Sequence, residues 1–241
     1  MIYIIENSLK NLLTAVFESY KNKDKQVSIF TNTCQTSCLE EIKIIQTDGE
    51  KANRVEKALR KILNYSYNHI KLAFRSGETN KNTVIFNYIC ETVNANENIS
   101  ENFANSSVYS FYEIFRKVQK EVHHLKGFIR FSKTEEGIYY APFSPDNDVC
   151  DLLLPHFIKR YSSMPFILHD YKYNKLCAYN GKESKIVYEK IPPLKIKDEV
   201  NFLFKTYYKT VNIKSRQNIK LMKNYMPKRY HINMPEKDEL L

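Results

Sequence analysis

The chain opens with an apolar run, Ile2 to Ile5, and then falls into helical spacing at Leu9, Leu12, Leu13, Val16, Phe17 and Tyr20, just after Ser8. A serine ahead of such a stripe offers an acceptor to the first free backbone N–H groups, so an edge strand leading into an amphipathic helix is predicted. Val27 to Phe30 and Ile42 to Ile45 are short strand candidates, and Asp48-Gly49 opens a helix with Ala52, Val55, Leu59, Ile62 and Leu63 on one face. Tyr65 to Phe74 and Val84 to Val93 keep the helical period, with a break at Gly77, while the Asn-rich stretch 94–105 reads as a loop or boundary.

Beyond it, Val108, Phe111, Ile114, Phe115, Val118, Val122 and Leu125 line one face of a long helix that stops at Gly127. The period then shifts to two. Phe128-Ile-Arg-Phe131 and Ile138-Tyr-Tyr-Ala141 read as a hairpin, and Asp146 to Tyr161 as a helix that Pro155 must kink or restart. Phe166 to His169, Leu176 to Tyr179 and Lys185 to Tyr188 form an antiparallel meander with turns at Asn174-Lys175 and Asn180-Gly181, and Pro192-Pro193 closes it. The tail from Asp198 to about Val211 is predicted helical, with Phe202, Leu203, Tyr207 and Val211 placed for burial. The fold class is α+β: a mainly helical region over 1–106, then an α+β region over 107–241 with an antiparallel sheet, packed helices and a basic tail, the two being either separate or one continuous domain.

Composition narrows the class. With 43% hydrophobic and 27% charged residues among 241, the chain is neither disordered nor fibrous. Only 5 glycines occur, and neither G-x-G-x-x-G nor G-x-x-x-x-G-K is found, which excludes the two common phosphate cradles. No apolar run approaches the ~18 residues of a membrane span, and no basic region precedes an apolar core at the start. A cytoplasmic protein with no membrane partner is expected.

Charge changes the picture more. The excess of 37 Lys and Arg over 27 Asp and Glu gives +10, and 200–235 alone carries +8 without one acidic residue. A one-sign field concentrated in one segment attracts phosphates and releases their counterions, which favours nucleic acid over a merely solvated face. Only 8 of the 37 cations are Arg, whose planar fork pairs two oxygens at once, so Arg130, Arg160, Arg216 and Arg229 are the strongest candidates for specific anion contacts.

Common catalytic signatures are missing. Neither G-x-S-x-G, H-E-x-x-H nor the zinc-deaminase pattern occurs, and Cys34-x-x-x-Cys38 lacks a third ligand, so no metal and no cofactor are expected. The five cysteines are an odd set in a chain without a secretion signal and should be reduced thiols. Weak catalytic candidates are His123 and His124, whose adjacent side chains diverge by ~100° on a helix, His156, which has Arg160 one turn on, and Asp170, which with Glu183 and Lys185 outlines a metal nuclease. Aromatics interleave with cations in Lys205-Thr-Tyr-Tyr-Lys209 and Tyr225-Met-Pro-Lys-Arg-Tyr230, a pattern suited to stacked bases beside neutralised phosphates.

Several short motifs follow one another in a fixed order: His123-His124-Leu-Lys-Gly127-Phe-Ile-Arg130-Phe131, Gly137-Ile-Tyr139-Tyr140-Ala-Pro142, and Leu154-Pro155-His156-Phe157 with Arg160. Val211-Asn212-Ile213, Arg216-Gln-Asn218, Met226-Pro227-Lys-Arg229-Tyr230 and Pro235-Glu236 continue the series, and Tyr3 through Tyr20 fits its start. In this order the chain resembles a family of DNA metabolism or DNA repair proteins that are typically encoded beside a radical SAM DNA modification and repair protein. In some relatives the domain is fused to a uracil-DNA glycosylase-like domain, which is not expected here after Pro235-Glu236. The resemblance carries no catalytic residue with it. It implies DNA as a partner and a separate radical SAM or glycosylase-type enzyme as the source of any reaction.

The expectation is therefore a DNA-binding accessory protein. Arg216, Lys220, Lys223, Lys228 and Arg229 would meet phosphate, with Arg130 and Arg160 contributing from the sheet-bearing half. Tyr225 and Tyr230 would stack, and His156 with Arg160 would hold an end or a lesion. Two other readings stay open: a DNA-processing enzyme in its own right, acting by base excision or hydrolysis, and an adaptor whose tail binds an acidic protein.

Overall fold

A computed structural model describes residues 1–24, 26–31 and 41–196, together with Thr206, Thr210, Val211, Ile213, Ser215, Asn218, Lys220, Leu221, Met226 and Tyr230. The chain forms two compact units, Met1–Gln119 and Lys120–Leu241. Helices predominate in the first half, and a mixed sheet with packed helices follows.

In the first unit, β1 (Ile2–Ile5) runs into α1 (Leu9–Asn22), and β2 (Ser28–Thr31) and β3 (Ile42–Ile44) flank β1 on either side. Both pairings are parallel, so β1 is the central strand and not the edge its sequence suggested. Its continuous apolar run is the mark of a strand covered on both faces, and Ile2, Tyr3 and Ile5 are all buried. Ser8 caps α1 by accepting from the Asn11 N–H at 3.1 Å. Asp48 caps α2 (Gly49–Leu63) by accepting from the Glu50 and Lys51 N–H groups, which holds its carboxyl below the usual range. The Thr14 hydroxyl donates to the Asp48 carbonyl at 3.1 Å, pinning the start of α2 to α1. α3 (Tyr67–Phe74), α4 (Lys81–Ala95) and the first part of α5 (Ser106–Phe128) complete the core, where Tyr88 stacks on Phe111 at 3.9 Å.

In the second unit five strands lie in the order β4-β5-β6-β7-β8: Ser132–Lys133, Tyr139–Phe143, Phe166–Asp170, Lys175–Tyr179 and Ser184–Tyr188. The last three form the predicted antiparallel meander. β5 and β6, however, run parallel, joined through α6 (Cys150–Arg160), so the sheet is mixed and not purely antiparallel. The first hairpin also starts later than its sequence suggested: Ser132 pairs with Tyr140, and Phe131 precedes the strand. α5 runs one residue past Gly127, and α6 continues through Pro155. A proline there removes one backbone bond, which the burial of Leu153, Leu154 and Phe157 against the sheet outweighs.

What locks this unit is a buried carboxylate. Glu121, on α5 and 4% exposed, accepts from the backbone N–H of Asp146 at 2.9 Å and of Asn147 at 2.8 Å, the Asn147 amide at 2.6 Å and the Tyr230 hydroxyl at 2.7 Å. Burial pushes its pKa up, but the hydrogen bonds outweigh burial and leave it below the ordinary glutamate value. Such a group contributes stability that is present above the unfolded value of 4.5 and is lost as pH falls through the folded one. Tyr230→Phe should cost about 1.5–3 kcal/mol, the worth of one hydrogen bond to a buried charge, in urea unfolding at neutral pH. The deficit should shrink as acid protonates Glu121; a deficit of the same size in acid would show that the hydroxyl acts elsewhere.

Candidate nucleic-acid interface

In the second unit the end of α5 and the exposed side of α6 gather cations. Lys126 and Arg160 both lie close enough to His156 to depress its pKa, after burial, which is the larger cause. The His156 Nε2 is buried and has no hydrogen-bond partner. Arg160 is exposed, with its guanidinium 5.7 Å from the Tyr161 ring, and it makes no ion pair among the described residues. Tyr161 belongs to an aromatic group in which Phe131 meets it at 5.0 Å and Tyr139 stacks on it at 6.3 Å. An imidazole with two cations near it, beside half-buried rings, has the polarity to accept an anion.

The other predicted residues fall in various places. Arg130 is half-buried, and its Nη1 donates to the Gly127 carbonyl at 2.7 Å, closing the end of α5. Lys220 is exposed. Arg216, Lys223, Tyr225, Lys228 and Arg229 lie outside the described residues, as do the tail positions Phe202, Leu203 and Tyr207, and Cys34 and Cys38. Tyr230 is 5% exposed, its hydroxyl is spent on Glu121 and Phe128 lies 5.7 Å from its ring, so it is a structural anchor and not the open stacking platform expected.

Among the catalytic candidates, His123 is exposed, while His124 rests on Phe128 with 6.2 Å between the two imidazole centres. Asp170 is fully buried, and its Oδ1 accepts from the Lys172 and Tyr173 N–H groups, closing the turn between β6 and β7. Its supposed nuclease companions Glu183 and Lys185 are exposed. No group of three His, Cys, Asp or Glu side chains able to hold a metal occurs among the described residues. Likewise, no helix among them is long and apolar enough to cross a membrane.

Buried polar groups occupy both faces of the second sheet. Opposite α6, the Tyr140 hydroxyl meets the His169 Nδ1 at 2.7 Å and the Tyr171 hydroxyl at 2.9 Å. Burial lowers the His169 pKa, so the imidazole is neutral. On the α6 side, Lys175 is 1% exposed and hydrogen-bonds Asp148, and also Asp151 at 3.1 Å. Burial opposes its charge, yet the two carboxylates raise its pKa. The thiols of Cys150 and Cys177 lie 3.2 Å apart beneath it, both free and buried. Of these interior groups, Lys175 is paired with Asp148 and Asp151, while Arg160 on α6 stays exposed.

Sequence reading missed Lys126, although a signal was present: 122–134 holds no acidic residue while it carries Lys126, Arg130 and Lys133. The first unit's open cleft of about 480 Å³ sets Lys23 beside Asp24 and Glu91, a lining of mixed sign.

The second unit is thus an α+β domain in which Lys126, His156 and Arg160 lie near one another at the ends of α5 and α6. Residues 79–236 match a family profile described as a domain of unknown function, DUF4130, and the chain belongs to that family. No curated protein matches it.

Two titrations check the geometry. Arg160→Gln should raise the His156 pKa, read from imidazole NMR shifts, whereas no change would place the guanidinium away from the ring. Asp170 is pushed up to about 7 by burial. A raised carboxyl contributes stability that is complete below the unfolded 3.8 and lost as pH climbs through about 7. Asp170→Asn keeps the Oδ1 acceptor and removes that titration, so its melting temperature should fall less than the wild-type value between about pH 5 and pH 8. Parallel melting curves would show that Asp170 is ionised throughout.

Proposed function

We propose that this protein binds DNA as an accessory in repair or DNA metabolism, with a separate radical SAM or glycosylase-type enzyme supplying the reaction. The observation that carries the reading is the meeting of Lys126, His156 and Arg160 with no carboxylate paired to Arg160 among the described residues. A phosphate there receives two full charges and an imidazole, and Tyr161 lies within reach of an adjoining sugar or base. The +8 carried by 200–235 adds, at the level of sequence, positive charge that a longer polyanion would attract. The enzyme partner rests on the ordered motifs from His123 to Pro235 and their resemblance to proteins encoded beside such an enzyme.

Fluorescence anisotropy with a labelled oligonucleotide across a salt series tests the reading. Lys126→Gln with Arg160→Gln should weaken binding and reduce the slope of log K against log salt by ~0.7–0.9 for each phosphate no longer neutralised. Arg216→Gln with Arg229→Gln should flatten it further. Affinity and slope equal to wild type in the four-fold variant would overturn the proposal. Co-purification of nuclease-treated protein with an acidic protein would favour the adaptor reading instead.

A further inference from the structure

β8 is the outer strand of the second sheet, and among the described residues it pairs with β7 alone. Its hairpin with β7 fixes which backbone groups are used. The Asn180 N–H donates to the Glu183 carbonyl at 3.1 Å around a two-residue turn whose first position, Gly181, has φ +94°. A turn of this kind closes on a hydrogen-bonded pair, and such pairs alternate along an antiparallel ladder. Glu183, Lys185 and Val187 therefore turn their N–H and C=O groups towards β7. Ser184, Ile186 and Tyr188 present theirs to the open side. Ile186 is 38% and Tyr188 68% exposed, so an apolar edge without proline stands ready to accept another strand.

We propose that β8 pairs antiparallel with β8 of a second copy, about a two-fold axis through Val187. In this register Val187 faces its own counterpart, Ile186 faces Tyr188, Lys185 faces Glu189 and Ser184 faces Lys190. Symmetry makes every unlike pair occur twice, so each dimer gains two Lys–Glu pairs and two aliphatic–aromatic pairs. The outward groups of Ile186 and Tyr188 meet as hydrogen-bonded partners, as the parity requires. Moving the axis to Ile186 sets Glu183 against Glu189 and Lys182 against Lys190, and moving it to Tyr188 sets Val187 against Glu189. An axis between two residues would oppose outward groups with inward ones. Lys185 and Glu189 are both exposed and make no ion pair among the described residues, so both are available to the partner. The same edge that could accept any strand is thus complementary in sign and shape to itself, and two five-stranded sheets become one.

Sedimentation of the full chain, freed of nucleic acid, tests this at moderate salt. Wild type should show a reversible dimer that grows with concentration. Ile186→Pro removes an outward N–H and none from the β7 ladder, so it should be monomeric with an unchanged melting temperature. Lys185→Glu and Glu189→Lys should each raise the dimer dissociation constant about tenfold, because each turns two attractions into repulsions. An equimolar mixture of those two variants should dimerise as wild type does, since opposite charges again face each other. A wild type that stays monomeric at ~100 µM, a dimer untouched by Ile186→Pro, or a mixture no tighter than its components would each overturn the proposal.

Discussion

The second unit depends on keeping one charge, that of Glu121, ionised where water cannot reach it. Placing a carboxylate in an interior costs several kcal/mol, and it persists only if hydrogen bonds replace hydration. Four donors converge here, two from the backbone at Asp146 and Asn147, one from the Asn147 amide and one from Tyr230. Because the carboxylate on α5 draws its donors from the loop ahead of α6 and from a position 109 residues distant in sequence, satisfying the charge organises the unit. The loop so fixed delivers Asp148 to the buried Lys175, and the first turn of α6, which follows directly, adds Asp151. With α6 set in this way, its outer face carries His156 and Arg160 to the end of α5.

That arrangement changes what the formal charge means. Glu121, Asp148 and Asp151 are turned inward, and burial holds Asp170 up at about 7, which removes part of its charge at neutral pH. Only Lys175 is withdrawn among the described cations to meet them. Among the described residues the interior thus holds more carboxylates than cations, so fewer of their carboxylates face the outer field than the formal count gives. A long polyanion responds to that outer field and not to the sum over the chain.

Local periodicity made most elements legible. The helical stripes from Leu9 and from Val108, the meander, and the Asn180-Gly181 turn follow from short-range rules, and the structure has them within a few residues of the expected bounds. Pairing was legible only where a tight turn joined the strands. The parallel contact of β5 with β6 and the pairing of β1 with two strands distant in sequence depend on long connections, so strand order was not legible locally, even though the apolar run of β1 fits a covered strand. Side-chain roles followed the same division. Asp48 as a cap was readable from the Asp-Gly signal, whereas Tyr230 looked like an open ring because its partner is 109 residues away. Arg130 had the same appearance, although its guanidinium closes its own helix.

The exposed edge fits the same logic of placed charge. Sheets commonly guard an outer strand with lysine, because an approaching foreign strand must then bury or displace an ammonium group. Lys185 stands in that role near the start of β8. A guard that repels every strand would be served by lysine alone, yet Glu189 lies four residues on, the distance at which an antiparallel copy brings it opposite Lys185. The pair therefore filters by sign: a neutral or basic strand meets an uncompensated lysine, and the chain's own β8 meets two compensated ones. Selectivity of this kind costs little stability, since both residues are solvated when the edge is free.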